Sequence, residues 1–137
     1  MPYDLIPRNR QQGEMTIGAF AWPWMLEAGL GLPLTHGKGI EPGSFVYADR
    51  PDGRCVAYND GARVSAGEAK EMAKLARWIA NYQETLHTIF DRQPDDVKER
   101  QLKNEHRLYH IPVRRDWVAK LRDFADWAEK SGGFRVD

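Results

Sequence analysis

His106 and His110 stand four residues apart, so on a helix both imidazoles would point the same way, a spacing that zinc sites use. Arg107, Leu108 and Tyr109 lie between them, and the Glu of the H-E-x-x-H pattern is missing. The nearest carboxylate, Glu105, falls on a different helical face, and Pro112 interrupts helicity just beyond His110. Solvated surface histidines are favoured over a metal site, and no cofactor is expected. An alternative is a small enzyme, such as a metal-dependent hydrolase, built on His106 and His110 with His36 or Asp60. It requires those groups to converge in one pocket.

Thr35-His36-Gly37-Lys38-Gly39 has the glycines and lysine of a phosphate-cradling loop. The spacing from Gly31 is one residue too long, and Gly39 stands where the magnesium-binding hydroxyl belongs. A glycine loop without nucleotide chemistry is expected. Cys55 is the single cysteine, which excludes an internal disulfide and a four-cysteine zinc site. Only Arg54 beside it could lower the thiol pKa, so a buried structural cysteine is expected rather than a nucleophile. No G-x-S-x-G elbow occurs, and Ser44, Ser65 and Ser131 each have a cap or turn explanation. Asn59-Asp60-Gly61 reads as a turn rather than an ion site.

Two features could bind a partner. Residues 92–122 hold nine Lys or Arg against five acidic residues, and Arg107, Arg114 and Arg115 with Tyr109 could contact an acidic partner or phosphates. Trp22-Pro23-Trp24 is the second. Tryptophans two apart on a helix cannot both face one core, and an exposed one is a candidate contact because aromatic residues are enriched at interface hot spots. Burial of the pair is the commoner outcome.

The elements that must hold these residues divide near residue 64. The first 63 residues contain nine of twelve glycines and six of eight prolines, too much backbone punctuation for long helices. Met1–Pro7, with Tyr3, Leu5 and Ile6 between Pro2 and Pro7, reads as a short strand, and prolines at both ends suit a sheet edge. The apolar run Ala19–Gly29 reads as a short helix with Pro23 in its first turn and Gly29 as its stop, and Gly29 to Gly43 is a loop. Phe45-Val46-Tyr47 and Cys55-Val56-Ala57-Tyr58, joined by Arg50-Pro51-Asp52-Gly53, read as a β-hairpin.

Beyond residue 64 the chain reads as helix. Ser65 and Glu68 form a capping box for a helix over Ala66–Phe90, about 38 Å long. Ala69, Met72, Ala73, Ala76, Ile79, Ala80, Leu86 and Phe90 make one apolar face, and Leu75, Trp78, Tyr82 and Ile89 a second, so packing on both sides is expected. A charged surface helix should follow Pro94, and a last one should span Arg114–Lys130, ended by Ser131-Gly132-Gly133. Phe134-Arg135-Val136 is a possible final strand pairing with the first. The expected fold class is α+β: one long central helix with two or three further helices packed on a small antiparallel sheet or hairpin, in a single domain.

Composition narrows the class of function. Twenty basic against twenty acidic residues give no net charge in 137 residues, which makes nucleic acid an improbable partner. No apolar run is long enough to cross a bilayer and no signal pattern opens the chain, so a soluble protein of the reducing cytoplasm is expected. Tyr3-Asp4-Leu5-Ile6-Pro7 with Asn9, Phe20-Ala21-Trp22-Pro23, Asn59-Asp60-Gly61 and Ser131-Gly132-Gly133-Phe134 together resemble a loose family of small uncharacterised bacterial and phage or prophage proteins. The resemblance implies a mobile-element context and carries no activity onto any residue. With no complete catalytic constellation, the expected function is non-enzymatic. The chain would be an interaction protein, such as a phage accessory or host-modulating factor, with another protein as partner and Trp22, Trp24, Arg107, Tyr109, Arg114 and Arg115 as contacts. A structural component of a larger assembly is a third possibility.

Overall fold

Alternation of apolar and polar residues in four very short strands builds the sheet that carries the site. A computed structural model describes residues 2–36, 49–103 and 111–137. Strands β1 (Tyr3–Pro7), β2 (Met15–Ile17), β3 (Ala62–Val64) and β4 (Phe134–Val136) form an antiparallel sheet in the order β2-β1-β4-β3. Tyr3, Leu5, Ile17, Ala62, Val64, Phe134 and Val136 are buried on one face. Their neighbours Asp4, Ile6, Thr16, Arg63 and Arg135 stand on the other, as a period of two requires.

The terminal strands pair as the sequence indicated, Leu5 opposite Val136 and Pro7 opposite Phe134. The expectation that β1 forms an edge is corrected, because β2 and β4 flank it. Pro7 is tolerated there because β2 pairs only with Tyr3 to Leu5, so no donor is needed on that side at Pro7.

Among the described residues the chain has one long α-helix and three further α-helices, α1 (Ala21–Met25), α2 (Ala66–Asp91), α3 (Asp95–Lys103) and α4 (Arg115–Ser131), of which α1, α2 and α4 contribute to the core beneath the sheet. This is the α+β class read from the sequence. The capping box at α2 is present in full, with Ser65 Oγ accepting from Glu68 N–H and the Glu68 carboxylate accepting from Ser65 N–H. The buried stripe of α2 is mostly alanine and lets α4 lie close along it. Gln83 interrupts that stripe and is buried. Its Oε1 accepts the Val113 N–H at 3.0 Å, while His87 Nε2 lies 2.6 Å from the Val113 carbonyl and so must carry the hydrogen. These two side chains fix the segment that enters α4. At the far end, Gly132 adopts a left-handed conformation, φ 69°.

Trp22 fills the centre. It is fully buried, with ring centroids 5.7 Å from Phe124 and 6.4 Å from both Tyr3 and Phe134. Its indole N–H donates to the Val56 carbonyl at 2.9 Å, and Tyr3 OH donates to the Ala57 carbonyl at 2.8 Å. Those two bonds explain a correction to the expected hairpin. Cys55–Tyr58 is a succession of turns with only an isolated Asp49–Cys55 bridge, because its carbonyls cap core side chains instead of a partner strand. Phe45-Val46-Tyr47 lies outside the described residues.

More than one element packs on α2: α4 lies along it, and the segments Leu26–Leu30 and Leu32–Leu34 also contact it. The second apolar face is only partly covered, with Leu75 half-buried but Trp78 75% exposed and Tyr82 and Ile89 each 50% exposed. The α3 helix buries none of its residues, as its charge pattern indicated. No helix of the described residues is long and apolar enough to cross a membrane.

Candidate functional site

The open face of the sheet gathers arginines from distant parts of the sequence. Arg63 on β3 stands directly opposite Arg135 on β4, and both point away from the core. Arg8 follows β1, held at the same end of the sheet by its N–H bond to the Gly133 carbonyl (2.9 Å). Arg50 approaches from the turn before Pro51-Asp52-Gly53, where Gly53 N–H bonds the Arg50 carbonyl at 2.9 Å. The four guanidinium-bearing residues line one groove of about 460 Å³, whose floor and walls include Ile6, Pro7, Pro51, Val64 and Phe134.

Two of these arginines are held in place by carboxylates. Arg50 Nη2 donates to both Glu68 oxygens at 2.8 and 3.0 Å, and its side chain is only 13% exposed. Burial alone would raise the Glu68 pKa, but bonds from Ser65 and Arg50 outweigh it and hold the carboxyl below its ordinary range. Arg135 forms a bidentate pair with Asp137 at 2.9 and 2.8 Å, which keeps its guanidinium more firmly protonated, with a smaller contribution from Glu14. The guanidinium groups of Arg8 and Arg63 make no hydrogen bond or ion pair with any described residue. Arg50 Nη1 is enclosed and likewise unbonded among the described residues. The face is polarised: Asp4, accepting from Thr16 Oγ1 at 2.8 Å, lies on the β1–β2 side, and the arginines cluster toward β3.

The residues singled out in the sequence fall elsewhere. Trp22 offers no surface, so its expected role as a partner contact is corrected to a core role. Trp24 packs on Trp117 at 5.4 Å, half-buried, and the Arg114 guanidinium lies 5.9 Å from the Trp117 ring. Arg114 is paired with Asp116 at 2.8 Å and Arg115 with Asp91 at 2.6 Å, so both charges are already answered within the chain. Arg107, Tyr109, His106 and His110 lie outside the described residues, as does the glycine loop from Gly37 onward. His36 is exposed, its Nε2 3.8 Å from Glu68 Oε2. Asp60 Oδ2 accepts the Cys55 N–H at 3.0 Å, the turn role its sequence context indicated.

Cys55 is buried, and desolvation above all pushes its thiol up to about 11, with Asp49 adding to the effect. At neutral pH it is a thiol rather than a thiolate nucleophile. Among the described residues no group of three His, Cys, Asp or Glu side chains is placed to hold a metal ion.

What this arrangement can do chemically is bind anions. Guanidinium groups present planar forks of donors matched to carboxylate and phosphate oxygens. No sequence pattern marks the site, because positions 8, 50, 63 and 135 are joined only by strand register. Compared with family models, with curated proteins and with solved structures, the chain gives no match. Its function is therefore read from this geometry.

Proposed function

We propose that the protein is a non-enzymatic binding module that takes an acidic segment of a protein partner across the open face of its sheet. One observation carries this reading. Arg63 stands opposite Arg135 with no acid of its own among the described residues, and like charges in directly paired positions disfavour a sheet. A fold that keeps such a pair, with Arg8 uncompensated nearby, is suited to an incoming anion.

A protein partner is favoured over nucleic acid by two features. Among the described residues, the strand positions on the open face are Asp4, Ile6, Thr16, Arg63 and Arg135, none of them an aromatic on which bases could stack. The chain as a whole has no net charge. A cytoplasmic setting is part of the proposal and is supported by a buried, unactivated thiol and the lack of a second cysteine. A phage or prophage accessory role is supported by the motif resemblance alone.

The test is a titration of the full chain with a glutamate-rich peptide at low and high salt. Arg63→Glu should weaken binding at least about fivefold, while Arg114→Ala with Arg115→Ala should leave it within about twofold. Absence of saturable binding at low salt, or equal affinity in Arg63→Glu, would overturn the proposal.

A further inference from the structure

The charge inventory of the groove specifies the anion more narrowly, on the footing of the acidic-segment reading above. Four arginines line it. Glu68 answers Arg50, and Asp137 answers Arg135. Asp52, the one carboxylate among the described lining residues, is engaged by Arg54, accepting its backbone N–H at 3.0 Å with the guanidinium 3.9 Å away. Two guanidiniums, Arg8 and Arg63, are left without a described counter-charge, and Arg50 Nη1 is left without an acceptor.

A carboxylate has one charge and two coplanar oxygens, so it would leave one of the two arginines unanswered. A phosphoryl monoester carries a charge of about −1.5 to −2 and three acceptor oxygens in a pyramid. Two spare positive charges match that group, and Arg50 stands in the same lining. The arginines already clamped by Glu68 and Asp137 lose little side-chain freedom on binding, which limits the ordering cost. Ile6, Pro7 and Pro51 in the same lining offer apolar surface to whatever carries the phosphoryl group. We infer that the groove between β3, β4 and the Arg50 turn recognises a phosphorylated side chain on a peptide with apolar flanking residues.

Three labelled peptides of one sequence, with a central phosphoserine, glutamate or serine between apolar residues, are titrated into the full chain, with inorganic phosphate as competitor. Phosphoserine should bind at least tenfold more tightly than glutamate, and serine should not bind measurably. Arg63→Ala, a change at an exposed strand position, should reduce the preference for phosphoserine over glutamate. Arg50→Lys keeps the charge but loses the fork and should do the same, and unchanged thermal melts certify that both variants are folded.

Equal affinity for the phosphoserine and glutamate peptides would overturn the phosphoryl assignment while leaving the acidic-segment proposal standing. No binding by either would overturn both. Inorganic phosphate bound as tightly as the phosphopeptide, or vesicles bearing phosphoinositide bound more tightly, would overturn the assignment to a peptide.

Discussion

Glu68 joins more of the molecule than any other polar residue near the groove. It closes the capping box of α2, clamps Arg50 and lies near His36. Because its pKa is lowered in the folded state, its stabilisation is complete above the unfolded carboxyl value of about 4.3 and is lost as pH falls through the folded value. Glu68→Gln should cost about 1.5–3 kcal/mol at neutral pH, the range for hydrogen bonds to a charged group. The difference between the variant and the parent should shrink below about pH 4. Urea midpoints across that range measure it, and a pH-independent difference would contradict the assigned linkage. At this scale the cap was legible, since Ser65 and Glu68 have a local spacing. The Arg50 contact was not, since it is made across eighteen positions through a turn whose shape the sequence does not spell out.

Elements were legible where they were long. A helix of 26 residues announces itself by repeated spacing, whereas three-residue strands offer a single alternation, which was read at β4 but not at β2 or β3. The apolar run Cys55-Val56-Ala57 has strand composition, yet its carbonyls are claimed by Trp22 and Tyr3, and tertiary demand overrode propensity. Gly133 shows the same dependence on packing. It adopts φ 95°, and a Cβ there would stand 2.7 Å from the Val64 carbonyl oxygen and 3.0 Å from the Ala66 nitrogen. Neither neighbour can move without breaking β3 or the start of α2. Gly133→Ala should therefore destabilise by at least about 2 kcal/mol, combining left-handed strain with a backbone clash. A fall in melting temperature of roughly 8 °C follows at about 4 °C per kcal/mol. A change of less than about 2 °C would mean that the β3–β4 junction yields more easily than its geometry implies.

For the molecule as a whole, the sheet depends on one strand. Val136 pairs with Leu5 on one side and Ala62 on the other, so β4 alone connects β1 to β3. Phe134 on the same strand packs on Trp127 at 5.3 Å and on Phe124 at 6.0 Å. A chain ending at Gly133 should lose its cooperative thermal transition when followed by far-ultraviolet circular dichroism, and retention of a sharp melt would show that the helices hold together without the sheet. The arginine groove was beyond reach of the sequence for the same reason: its walls meet only after β4 is in place.

That arrangement sets a schedule during synthesis. At roughly 5–20 residues per second, on the order of ten seconds separate the appearance of Leu5 from that of its partner Val136. Until then the apolar flank of β1 has no lasting neighbour on that side, and the nascent chain is most exposed to mispairing or to chaperone capture. Commitment of β1 to the sheet should accordingly be decided once Val136 has emerged rather than when β1 itself appears.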